Sequence, residues 1–258
     1  MTWIAEDNFD SYSDGDLNGE NGGSNWSGAW SGDGEFDVQD GLIIEGTKTV
    51  KVTHDSGNNF NMVRSFSALT DGLVYVTVRR STNSNGNFYV VLREGGTSRV
   101  FIRFGADGNI SIFDNGIGDY QVIQAYSADT NYRIGIEFNN PSQANKARAN
   151  VDNGTFTSWY TVSGGSYTNI DTIRFNATDS SSAVDAYFDY ISPDFVDSVS
   201  IDESDNISIE DSVTAVVESG IWTNQNKNSA SYSDQNKNST NFSNQNKNST
   251  NYTNQDKS

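Results

Sequence analysis

The residues best suited to chemistry are cations and rings in the first two-thirds of the chain. Seven of the nine arginines fall between positions 64 and 133. Strand-like alternation sets Arg79, Arg93 and Arg103 beside Tyr75, Tyr89 and Phe101. Rings give flat platforms for sugar faces, and guanidinium groups give fixed donors for hydroxyls or an acidic substituent, so this set is expected to bind glycan. Trp159-Tyr160 is a second candidate, on what reads as an exposed hairpin. His54 is the sole histidine, and its neighbours Thr53-His-Asp-Ser-Gly-Asn-Asn59 read as an exposed turn, which leaves a Ser-His-Asp triad without support. Asp14-Gly-Asp16-Leu-Asn18-Gly19 fits the start of a calcium loop, but its twelfth position is Asn25, which has no bidentate carboxylate to give.

The elements that must position these residues are strands. Short apolar stretches alternate with Gly, Asn, Asp and Ser clusters, and no 3.6-residue apolar repeat is sustained. Three successive segments have one purely apolar alternate set: Val74, Val76, Val78; Phe88, Val90, Leu92; and Val100, Ile102, Phe104. A register slip of one residue would bury the arginines between them, so these sets are expected to face a core. Further strands are expected at 42–46, 49–53, 60–66, 110–113, 120–125, 132–138, 147–151, 156–162, 172–176 and 186–191. This number and spacing imply an all-β, two-sheet antiparallel sandwich.

The chain has 258 residues, no cysteine, and Lys+Arg 16 against Asp+Glu 34, for a formal charge of −18. Disulfide scaffolds and thiolate metal sites are excluded. So large a negative charge disfavours nucleic acid and anionic membrane surfaces as partners. No apolar run approaches the roughly 18–20 residues that cross a bilayer, and Met1-Thr-Trp-Ile-Ala-Glu-Asp-Asn carries no secretory-signal pattern. The expectation is therefore no membrane insertion.

Composition changes after Pro193. Residues 194–219 read as an acidic, β-rich connector, in which Asn206–Val213 echoes Ser198–Asp205. Residues 220–258 hold a ten-residue repeat with rings at Trp222, Tyr232, Phe242 and Tyr252 and lysines at 227, 237, 247 and 257. So polar a repeat cannot alone offset about 1–2 kcal/mol of backbone entropy per residue. It is expected to order against copies of itself, giving a homo-oligomer, or against a partner, with a solvated low-complexity tail as the alternative.

Residues from about 6 to 193, within a domain taken as 1–193, resemble the concanavalin A-like lectin/glucanase superfamily of jelly-roll sandwiches. The resemblance rests on Phe9-Asp-Ser-Tyr12, Asp40-Gly-Leu-Ile-Ile44 and the closing Ala186-Tyr-Phe-Asp-Tyr-Ile191. It implies a jelly roll, and a structural calcium held by the carbonyls of Phe9 and Gly41 with Asp189. A glycosidase of this superfamily carries Glu-x-Asp-x-x-Glu on one strand; the near match here is Glu35-Phe-Asp37-Val-Gln-Asp40, one methylene short at its last member. The terminal repeats resemble those of tailed-phage structural proteins and of bacterial surface proteins.

Together these readings predict a non-enzymatic virion surface protein, such as a capsid decoration, head fibre or tail component. Its lectin-like domain would touch a glycan or host cell surface, and its repeat would join it to itself or to other virion proteins. The alternatives are an extracellular location, as a secreted bacterial carbohydrate-binding module or adhesin, and a laminarinase-like hydrolase.

Overall fold

The structure is a computed structural model that describes residues 3–54, 57–139, 142–178 and 180–193. The expected connector and decapeptide repeat lie outside the described residues. In chain order the strands are β1 (Gly15–Asp16), β2 (Ser31–Gly32), β3 (Phe36–Gln39), β4 (Thr49–His54), β5 (Phe60–Leu69), β6 (Gly72–Arg80), β7 (Asn87–Glu94) and β8 (Thr97–Phe104). They continue with β9 (Asn109–Asp114), β10 (Asp119–Ala125), β11 (Asn131–Phe138), β12 (Lys146–Val151), β13 (Tyr160–Thr161), β14 (Ile170–Thr178) and β15 (Val184–Ser192). There is no helix among the described residues, and so none long and apolar enough to cross a membrane.

Two antiparallel sheets form the jelly-roll sandwich. Sheet 1 runs β1-β3-β4-β15-β6-β11-β12-β13, and sheet 2 runs β10-β9-β8-β7-β14-β5-β2. The alternation read in the sequence is obeyed: Val76, Val90 and Ile102 are all 0% exposed, on strands of both sheets. Where the sheets meet, Phe175 of β14 stacks on Phe188 of β15 with centroids 3.7 Å apart. These two late strands enter the middles of their sheets, β14 between β7 and β5 and β15 between β4 and β6.

Two features control which side chains share a surface. The first is the corner after β6, where the turn-like run Ser81–Gly86 carries the chain from sheet 1 to sheet 2. Arg80 is buried at this corner, donating to the carbonyls of Asn85, Gly86 and Phe104. The second is segment 42–48, expected in part as a strand and found as a loop. It is tied over the outer face of sheet 1 by Glu45 N–H donating to Asp189 and by Thr77 Oγ1 donating to Glu45 Oε1. Asp10 accepts from the Thr47 and Lys48 amides at the loop's far end.

Arg64 departs from the pattern by pointing inward from β5. Its guanidinium meets Asp7 at 2.5 Å, donates to the Tyr12 hydroxyl and the Gly22 and Gly28 carbonyls, and lies 4.8 Å from the Trp26 ring. Such a pair holds only because every donor finds an acceptor, and it fixes the N-terminal segment against sheet 2. Burial nevertheless pushes Asp7 above the usual carboxylate range. A polar cleft of about 230 Å³ lies nearby, lined by Glu6, Asp7, Asn8, Gly23, Ser24, Tyr190 and Ile191.

Candidate functional site

The outer face of sheet 2 gathers rings and cations from five adjacent strands. Pairing sets Tyr89 of β7 between Asn176 of β14 and Arg103 of β8. One row along, Val91 lies between Arg174 and Phe101, and in the next row Arg93 faces Thr172. On the far side Phe113 of β9 pairs with Tyr120 of β10. The rings touch in sequence: Phe101 to Phe113 at 6.0 Å, Phe113 to Tyr120 at 5.2 Å, and Tyr120 to Tyr89 at 6.5 Å between centroids.

Arg103 completes this row. Its guanidinium lies 4.2 Å from the Tyr120 ring centroid while donating to Asp107 at 2.7 Å. Burial and the neighbouring Tyr89 push the Tyr120 hydroxyl up to about 12. Val91, although it points outward, is 0% exposed, because longer side chains close over it. The face is thus a layer of half-buried rings edged by guanidinium groups. It can stack a sugar ring and donate to its hydroxyls.

Four of the expected binding residues, Tyr89, Arg93, Phe101 and Arg103, are brought together here. Tyr75 and Arg79 are not: β6 belongs to sheet 1, so they point away from the opposite face of the sandwich. Tyr75 is 5% exposed, enclosed by Arg133, Gly135 and Asn150, and cannot serve as an open platform. Arg79 is bound to Asp129 at 3.0 Å. The expected single patch is therefore corrected to one on sheet 2, because the chain crosses the sandwich between β6 and β7 instead of turning back in a hairpin.

Trp159 and Tyr160 stand at the other end of sheet 1. Trp159 packs at 4.7 Å on Arg148, which also meets Phe156 at 4.7 Å and donates to Glu137 at 2.6 Å. Most of the expected strand 156–162 is loop, and only Tyr160–Thr161 pairs, with β12. His54 is also corrected: it ends β4 and is 0% exposed, in contact range of Gly86, and is no exposed turn residue. Glu35, Asp37 and Asp40 all lie exposed around β3, while Phe36 and Val38 between them fill the core. Asp40 has Lys48 at 4.0 Å.

Two of the three expected calcium ligands, Asp189 and the Phe9 carbonyl, already have hydrogen-bond partners within the chain. Both Asp189 oxygens are enclosed and already accept from Tyr190 N–H, Glu45 N–H and the Thr49 hydroxyl. The Phe9 carbonyl accepts the Tyr12 amide. Among the described residues no group of three His, Asp or Glu could hold a metal. The Asp14 loop fares no better, since Asp14 is paired with Lys48 and Asp16 caps the Asn18 amide at 2.8 Å.

Phe113, Tyr120, Arg174 and Asn176 were not expected in the site. Each alternates with buried Ile112, Ile173 or Phe175, or lies in a readable strand, so their outward direction has a sequence signal. Their placement beside Tyr89 comes only from strand order.

No protein-family profile matches the chain, and no curated protein matches it in sequence. Solved structures do share its fold. A sialidase superposes with a TM-score of 0.53 at 12% identity over 63% of this chain, which spans 16% of that protein. The β-glucanase of Bacillus licheniformis superposes with a TM-score of 0.49 at 13% identity, over 74% of this chain and 98% of that one. A GH131 β-glucanase catalytic domain from Podospora anserina gives 0.44 at 13% identity, over 62% and 80%. At such identities the likeness shows the fold, a two-sheet jelly roll, and no more. The expectation of a protein that is not an enzyme is corrected: a sialidase shares this fold, so neither the fold nor the incomplete Glu35 triplet is ground for excluding an enzyme.

Proposed function

We propose that this chain engages carbohydrate on the outer face of sheet 2, as part of a surface protein of a virion. The observation that carries the reading is the contiguous set Tyr89, Phe101, Phe113 and Tyr120, with Arg103 laid across it. Four rings in one layer on the solvent side of a sheet expose apolar surface that a core does not need, and a sugar's C–H face is a fitting cover for it. The Asn, Gly and Ser content, the acidic charge and the decapeptide repeat support a place on a particle surface, with residues 220–258 joining copies of the chain or attaching it to other virion proteins.

The test is a glycan array probed with the full chain and with Tyr120→Ala and Tyr89→Ala. The reading expects retention on a subset of glycans, reduced about tenfold or more in either variant, with unchanged melting. Retention that is indifferent to both variants would refute it. Release of reducing ends from a retained glycan is recorded in the same assay, since a face that holds a sugar can also serve its cleavage.

A further inference from the structure

Two cations of the sheet 2 face have no carboxylate partner among the described residues. Arg174 sits in mid-sheet, paired across β14 with Val91 on one side and Val63 on the other. Among the described residues it makes neither a hydrogen bond nor an ion pair, and its Nε is buried without an acceptor. Arg93 lies diagonally next to it, because Arg93 faces Thr172 while Arg174 faces Val91 on the same strand pair. Diagonal neighbours of this kind have Cα atoms roughly 7–8 Å apart, within reach of two arginine side chains meeting one ligand. The Arg93 guanidinium donates to the Gly96 carbonyl, and its Nε is also buried without an acceptor.

Acidic residues next to this pair in the chain are turned elsewhere. Glu94 accepts from Arg99 and from the Thr168 amide and hydroxyl. Asp171 accepts the Gly95 amide. The chain carries 34 acidic against 16 basic residues, yet among the described residues no carboxylate is paired with either of these two guanidinium groups. Burial and the proximity of Arg93 both act to lower the affinity of Arg174 for its proton.

Resting on the reading of this face as a carbohydrate site, we infer that Arg93 and Arg174 form an anion-binding subsite that selects acidic glycans, those bearing a carboxylate or sulfate beside the ring that Tyr89 and Phe101 would stack. Arg supplies a planar fork that fits either anion, and the valines on both sides of Arg174 keep competing water away. Arg103 is distinct, because Asp107 already neutralises it.

Affinity electrophoresis of the full chain through gels holding polygalacturonate, dextran sulfate, neutral dextran or single-stranded DNA tests this. The subsite predicts retardation by polygalacturonate or dextran sulfate beyond that by dextran or DNA. The preferred gel identifies carboxylate or sulfate as the anion. Arg174→Gln and Arg93→Gln should each weaken that retardation about ten- to hundredfold, and Arg174→Lys by less, at unchanged melting. Equal retardation by DNA, or retention of acidic glycans by both Gln variants, would overturn the inference. Binding that depends on Tyr120 but is blind to the acidic group and to Arg174 would remove this inference and leave the carbohydrate reading standing. Absence of binding to every probe and to the glycan array would remove both.

Discussion

On the outer face of sheet 1, Arg133 donates to the Thr77 and Ser192 hydroxyls and to the Tyr190 carbonyl, with Glu45 at 3.8 Å, beneath the loop that precedes β4. Lys51 is matched to Asp185, Arg79 to Asp129 and Arg148 to Glu137. Across the sandwich, Arg93 and Arg174 lie among rings and valines, and no acid among the described residues is matched to either. Both faces are built of Arg, Tyr and Thr on alternate strand positions, so composition does not distinguish them. What distinguishes them is charge matching: Lys51, Arg79, Arg133 and Arg148 of sheet 1 each have a carboxylate within 4 Å, whereas among the described residues Arg93 and Arg174 have none.

The comparison is broken most severely if the charge-matched face tolerates losing its centre. Arg133→Ala leaves Glu45 and Thr77 without their cation, and should cost about 3–5 kcal/mol in urea-unfolding experiments. A loss below about 1 kcal/mol would show that the network does not hold the face together. Next in size is Gly135→Ala. A Cβ there would collide with Asn150 Oδ1 and the Tyr75 ring, with an expected loss of about 1–3 kcal/mol by the same measurement.

A pH titration sharpens the contrast at the rim of sheet 2. Hydrogen bonds from Thr168 and the Arg99 guanidinium hold Glu94 down to about 2, from an ordinary value of 4.5. The unfolded chain therefore takes up this proton first. Stability that Glu94 contributes is present above about 4.5 and is lost as pH falls toward about 2. Melting temperatures recorded across that window should fall less steeply with acidification in Glu94→Gln than in the parent; identical slopes would remove Glu94 from the account. The smallest effect is expected at Arg174→Gln, whose unfolding free energy should stay within about 0.5 kcal/mol of the parent, because no partner is lost.

The fold was largely legible in the chain. Val74, Val76 and Val78, and the equivalent sets at 88–92 and 100–104, needed only a period of two to be assigned to a core, and the structure buries all of them. Half of the candidate site was legible for the same reason, since Tyr89, Arg93, Phe101 and Arg103 lie on consecutive strands of a local meander. The errors came from non-local pairing. Whether Ser81–Gly86 turns back or crosses the sandwich depends on Arg80 finding the Asn85, Gly86 and Phe104 carbonyls, which no local pattern encodes. Arg174 reaches the site because β14 inserts beside β7, some 80 residues away in the chain, and that pairing is fixed by packing such as Phe175 on Phe188. Likewise Leu42–Gly46 has the apolar look of a strand, but Glu45 is drawn across sheet 1 by Thr77 and Asp189.

The central claim is that sheet 2, and not sheet 1, meets the ligand. Parallel glycan-array titrations of Tyr120→Ala and Arg79→Ala test it most directly, since each alters an outward side chain of one face. The account predicts about tenfold or greater loss of glycan retention in Tyr120→Ala and parent-like retention in Arg79→Ala. Loss in Arg79→Ala with full retention in Tyr120→Ala would contradict it.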